Sequence, residues 1–203
     1  MAKLLLIIFT ILSISVFAQN KTDHRDHESS KKNHHHSYKR HSISILNGLT
    51  FIPESISEHD IDQIQSNRLN VSSVNESPRY VQTWGVNYQY KVNNRLGIGI
   101  INDIELEKYA ISHSGDILAR DNVIVSSLVV YYDIISGLEI FGGAGYEFER
   151  DNNLFVWKVG VEYNLFIAND FYVAPELAFD IRKEYWNYTF GFKLTKFFGK
   201  LLD

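Results

Sequence analysis

From His41 to the C-terminal end, hydrophobic and polar residues alternate with a period of two, the spacing of a strand with one apolar and one polar face. The most regular stretch is Arg79 to Val92: Tyr80, Gln82, Trp84, Val86, Tyr88, Tyr90 and Val92 share one face, and Arg79, Val81, Thr83, Gly85, Asn87, Gln89 and Lys91 lie on the other. After Asn93-Asn94, read as a two-residue hairpin turn, Leu96, Ile98, Ile100, Ile104 and Leu106 continue the apolar face against Gly97, Gly99, Asp103, Glu105 and Glu107. Further strands are predicted over Asn122 to Asp133, Leu138 to Glu149, Leu154 to Phe166, Phe171 to Arg182 and Tyr185 to Phe198. A weaker strand over Ser42 to Ile52 brings the expected number to eight. Pro175 has no N–H to give a ladder and is expected to mark a bulge or distortion.

Alternation fits a membrane barrel, apolar outside, and a soluble barrel, apolar inside. Side-chain volume separates them. The interior of an eight-stranded barrel is just wide enough for side chains to fill, and the apolar face carries Trp84, Trp157, Trp186 and many Tyr and Phe, which would overfill it. The polar face carries Gly97, Gly99, Gly143, Gly145, Gly160 and Gly191, which leave room for large charged neighbours, so the polar face is assigned to the lumen. Connections alternate in length: short turns at Asn93-Asn94, Ser136-Gly137 and Ala168 to Asp170, long ones at Pro53 to Pro78 and Ala110 to Arg120. Aromatic residues gather near strand ends, and Lys108 and Lys196 are the charges placed on the apolar face, near strand ends where they reach headgroups.

Arg79 to Phe198 with its aromatic-rich last strand resembles the small eight-stranded outer-membrane β-barrel family of Gram-negative bacteria. That resemblance implies an all-β, antiparallel up-and-down transmembrane barrel (42–203) in the outer membrane, with both termini in the periplasm. Outer-membrane lipid and the barrel assembly machinery are the implied partners, nucleic acid is not, and a monomer is expected. The chain continues Gly199-Lys200-Leu201-Leu202-Asp203 beyond the aromatic Phe198, a departure from the usual C-terminal assembly signal.

The first 18 residues read as a secretory signal peptide: Lys3, an apolar run from Leu4 to Phe17, and small residues at Val16 and Ala18. The run is shorter than the roughly 20 residues of a spanning helix. Residues 19–41 carry six basic against three acidic residues and no aliphatic side chain, so they are expected to be a disordered periplasmic tail. From Ser42 the balance reverses to 13 basic against 21 acidic residues. The tail holds His24, His27, His34, His35, His36 and His41, and the first five are candidate ligands for loosely held zinc or copper, beside the simpler reading of a solvated linker. No other cofactor is expected. The absence of Cys excludes disulfides, thiolate metal sites and a lipidated N-terminal Cys. Composition alone, 45% hydrophobic with mean hydropathy −0.17, suits a soluble domain, and only the order of the residues says otherwise.

The chemistry to expect is that of a charged lumen. Inward acids are Asp103, Glu105, Glu107, Glu139, Glu147, Glu149, Glu162, Glu176 and Asp180, against Arg79, Lys91, Lys158, Arg182 and Lys193. Arg79, Asp103, Glu105, Glu107, Glu147, Glu149, Asp180 and Arg182 form the candidate cluster toward the outer mouth. Cross-lumen pairing would make this a plug, and the acid excess would favour cations if the lumen conducts. His113-Ser114 with Asp116 and Glu107 is the nearest approach to a catalytic constellation, as in lipid-modifying barrel enzymes, but loop polarity explains it more simply, so no catalytic residue is assigned. Ser57 to Leu69 in the long loop is a candidate amphipathic helix and lid. The expected function is that of a structural or binding surface protein; a narrow cation or small-solute channel and a lipid-modifying enzyme are the alternatives.

Overall fold

A computed structural model describes residues 40–56, 77–113, 116–150 and 152–199. The strands are β1 (His41–Ser55), β2 (Ser77–Lys91), β3 (Leu96–His113), β4 (Asp116–Ile135), β5 (Leu138–Phe148), β6 (Leu154–Tyr163), β7 (Leu165–Ala168), β8 (Phe171–Ile181) and β9 (Trp186–Phe198). Every neighbour is antiparallel, β1 pairs with both β2 and β9, and β6 pairs with β8, so the sheet closes on itself. Since β6 and β7 are one stave interrupted at Asn164, the barrel has the eight staves that the alternation predicts. Closure leaves no open sheet edge in the wall, which is the condition for strands to cross a bilayer.

Burial follows the period of two. In β2, Thr83, Asn87 and Gln89 are buried in the lumen while Tyr80, Trp84, Val86 and Tyr88 are exposed on the outside. Trp157 is 57% exposed, Leu128 66% and Phe192 56%. Buried polar residues and exposed large apolar ones reverse the pattern of a water-soluble domain, so the outer surface is the lipid-facing one.

Four expectations change. The stretch Ala110 to Arg120 is not a loop: β3 and β4 run on as a hairpin to His113↔Asp116, because Ile111, Leu118 and their neighbours keep pairing after a register shift between Glu105 and Lys108. Asn93-Asn94 is not a two-residue turn. Neither residue has a positive φ; Asn93 instead accepts the backbone N–H groups of Arg95 and Leu96 on Oδ1, both at 2.8 Å, which holds a longer connection. Asn169-Asp170, by contrast, has φ of 49° and 66°, the two left-handed residues of a tight hairpin turn. Pro175 makes the expected local distortion but no bulge. Its missing N–H interrupts the ladder to β6 and β7 between Glu162↔Glu176 and Leu165↔Val173, and pairing resumes in the same register. Finally, β1 begins at His41, whose ring stacks on Phe198 at 5.4 Å and meets the Tyr88 hydroxyl at 2.7 Å.

Candidate functional site in the barrel lumen

The lumen is built from the inward residue of every second position, and the strands stack these into layers. At the end bearing the short turns, Lys91 bridges Asp133 (2.9 Å) and Glu139 (2.8 Å). Asn164 donates to Glu139 at 3.2 Å and to Glu162 at 3.0 Å, so the break in the wall stave is tied to the lumen charges. Lys193 pairs with Glu162 and, at 3.2 Å, with Glu176. Next along the strands comes an apolar layer of Ile101, Val129, Tyr131, Phe141 and Ala178. Gly160 makes room for it: a Cβ there would lie 2.3 Å from the Phe141 ring.

A second charged layer lies toward the other end. Lys158 bridges Asp103 (3.1 Å) and Asp180 (2.6 Å). Arg182 pairs with Glu147 and lies 3.7 Å from Asp180, and its guanidinium sits 4.5 Å from the centre of the Tyr185 ring. Arg120 lies 2.9 Å from Glu147 and 3.6 Å from Glu149, and donates to the Asn152 carbonyl at 3.0 Å. Tyr109 donates to Glu105 at 2.5 Å, Tyr185 to Glu147 at 2.7 Å, and Asn187 to Glu105 at 3.2 Å. Burial holds the Tyr185 phenol well above the ordinary tyrosine value, so it stays a proton donor. Above this layer Ile52, Val81, Tyr109, Ile111, Val123, Val125, Val156 and Tyr185 pack together, drawn from β1, β2, β3, β4, β6 and the β8–β9 connection. Ile56, fully buried, is tied to β3 by a backbone bridge to Ala110 (2.7 Å).

Of the residues predicted for the outer cluster, Asp103, Glu105, Glu147, Asp180 and Arg182 are buried together, with the Glu149 side chain beside them. Arg79 and Glu107 are not in that group. They lie half-exposed at the rim, 3.8 Å apart, because the irregularity after Glu105 breaks the alternation that would have kept Glu107 inside. Two charges missed from the sequence replace them: Arg120, assigned to a loop, and Asp133, at the end of β4. The apolar spacing of Tyr109, Ile111 and Leu118 was the signal that β3 and β4 continue. Among the described residues the lumen therefore holds nine acids and five bases, none of them arranged as a metal site. Lys108 and Lys196 lie on the outside, Lys108 3.5 Å from Asp121 and Lys196 donating to the Asn169 carbonyl at 2.5 Å.

His113 and Asp116 are opposite each other in the β3–β4 register. Ser114, the 57–76 segment with its predicted helix, and His24, His27, His34, His35 and His36 lie outside the described residues.

No family model matches the sequence, and no curated protein matches it. Among solved structures the chain is similar to Ail, the attachment invasion locus protein of Yersinia pestis, with TM-score 0.44 and 10% identity over 78% of this chain and 98% of that one. Ail in a phospholipid bilayer nanodisc gives 0.39 and 14% over 79% and 100%. The toluene transporter TbuX of Ralstonia pickettii gives 0.29 and 15% over 62% and 38%. The chain is a transmembrane β-barrel of the outer-membrane type. The closed sheet, apolar outer face and buried polar face described above carry that conclusion by themselves. No helix among the described residues is long and apolar enough to cross a membrane.

Proposed function

We propose that the protein is an outer-membrane surface protein that binds a partner or ion and conducts nothing, its lumen serving as a charged, self-paired plug. The observation that carries this reading is the apolar cluster at the loop-bearing mouth, whose members are 0–7% exposed and come from β1, β2, β3, β4, β6 and the β8–β9 connection. The ion-paired layers below it leave each buried charge a partner of opposite sign or a hydrogen bond, the arrangement that makes buried charge tolerable. What faces the exterior at that end is the extended β3–β4 hairpin, beyond Ile124 without a partner in β5. The short-turn end, with the tail, faces the periplasm in this reading.

Single-channel recording tests it. The reconstituted protein should give no conductance above that of a bare bilayer, and reproducible unitary steps would contradict a plugged lumen. The acid excess favours a cation-selective pore as the second reading, in which case those steps should be cation-selective. For the tail, zinc or copper titrated into the full chain should bind more tightly than to a chain lacking residues 19–40 and be released below about pH 6, as imidazoles protonate. Equal affinity for the two chains would remove the His-rich segment from the account.

A further inference from the structure

We propose that two copies of the chain pack side by side in the membrane through the wall of β2, β3 and β4, with Asn102 of each copy against Asn102 of the other on a two-fold axis along the membrane normal. The pairing replaces the monomer that the sequence resemblance implies, and it goes beyond the binding function proposed above.

The lipid-facing wall carries a polar pair where hydrocarbon offers it no partner. Asn102 of β3 and Ser126 of β4 are cross-strand neighbours on the outside of the barrel, Asn102 exposed and Ser126 half-buried. Ser126 donates to Asn102 Oδ1 at 2.8 Å, and Asn102 Nδ2 donates to the Val86 carbonyl at 3.4 Å, the long limit of a hydrogen bond. An amide has two N–H groups, so one of those on Asn102 has no acceptor among the described residues. Val86, its neighbour on β2, lies between Tyr88 and Tyr90 on the short-turn side and Trp84 and Tyr80 on the other. The pair therefore sits near the middle of the bilayer, where no water supplies the missing bond and polar side chains serve to join protein to protein. Two other uncharged polar side chains on the closed wall are better covered. Gln82 donates to the Gly48 carbonyl at 3.1 Å, and Asn47 has two large aromatic residues, Trp84 and Phe192, as its cross-strand neighbours.

The occupant that fits is a second copy. Two barrels inserted in the same sense are related by an axis along the membrane normal, and a residue on that axis meets itself. An amide suits such a position because it donates and accepts at once, so two of them close a reciprocal pair. The relief of the wall agrees. Two convex walls approach most closely on the axis and diverge to either side, which calls for short side chains at the centre and long ones at the margins. Val86 and Ser126 flank Asn102 across the ladder, while Trp84 and Leu128, next along those two strands in opposite directions, are 45% and 66% exposed. They stand at the margins, where lipid returns.

The chain has no Cys, so Ser136→Cys in the exposed β4–β5 turn gives a single thiol for labelling away from this wall. Protein labelled with a donor or an acceptor dye and reconstituted together in lipid vesicles should show energy transfer above that of randomly placed barrels, saturating with protein density and reversed by unlabelled protein. Asn102→Leu should need about tenfold more protein per lipid for the same transfer, the loss of an interhelical-strength polar contact in lipid. It should keep the heat-modifiable migration of a folded barrel, since leucine is at home on a lipid-facing wall. Asn102→Gln, which keeps the amide, should associate like the parent. So should Leu177→Ala on β8, the stave diametrically opposite β3. Transfer no higher than random for the parent would mean that lipid or a different protein covers the patch, and overturns the pairing. A folded Asn102→Leu that associates as tightly as the parent, or a Leu177→Ala that loses association, overturns its placement on this wall.

Discussion

Replacing Lys158 by methionine is expected to destabilise the barrel by about 3–5 kcal/mol, the range for removing one partner of a buried charge pair. Lys158 is 1% exposed and sits between Asp103 and Asp180, at 3.1 and 2.6 Å. Methionine keeps the volume, leaves Asp103 without its cation and leaves Asp180 only the more distant Arg182, 3.7 Å away. The loss should appear as a large fall in the temperature at which the protein changes from its folded to its unfolded gel migration. Adding Asp103→Asn and Asp180→Asn should restore most of the loss, because neutral amides need no counter-charge. A Lys158→Met barrel as heat-stable as the parent would mean that water reaches these carboxylates and that the layer is not sealed.

The second large effect comes from the wall. Gly143 of β5 pairs with Val129 of β4, and a Cβ on Gly143 would lie 1.9 Å from the Leu128 carbonyl oxygen and 2.7 Å from the Val129 Cα. Both atoms are backbone, so neither can turn aside; the two strands would have to separate where their ladder is continuous. Gly143→Ala is therefore expected to cost about 3 kcal/mol, at the top of the range for overpacking. The adjacent Gly142 is the control. Its added Cβ meets no atom nearer than Val159 Cγ1 at 3.6 Å, and Gly142→Ala should stay within about 0.5 kcal/mol of the parent. Urea-induced unfolding in lipid vesicles measures both, and equal stability of the two variants would contradict the strand approach described here.

These two sites also show what could be read before any coordinates. Alternation reveals a face only where the two faces differ in chemistry. In β2 they do, and Trp84 and Asn87 fall on opposite sides as expected. In β4 both faces are apolar: Val123, Val125, Val129 and Tyr131 point inward, while Ile124, Leu128, Val130 and Tyr132 point outward. The inward apolar residues of β4 therefore gave no sign of which of its faces is inside. The irregularity after Glu105 has no sequence mark of its own, which is why Glu107 was misplaced and Tyr109 overlooked. That the lumen would be charged was legible. Which charges meet was not, since Lys158 of β6 reaches Asp103 of β3 across the lumen, and such pairings depend on the stagger of the strands.

The central claim is that the apolar face meets lipid, and the three tryptophans report on it directly. Trp84, Trp157 and Trp186 are 45%, 57% and 45% exposed, all on the outside. With two replaced by phenylalanine at a time and the protein in vesicles of lipids brominated in their acyl chains, the emission of each remaining tryptophan should be strongly quenched relative to unbrominated lipid. Three emissions indifferent to bromine, from a protein that stays folded and soluble without detergent, would contradict the account.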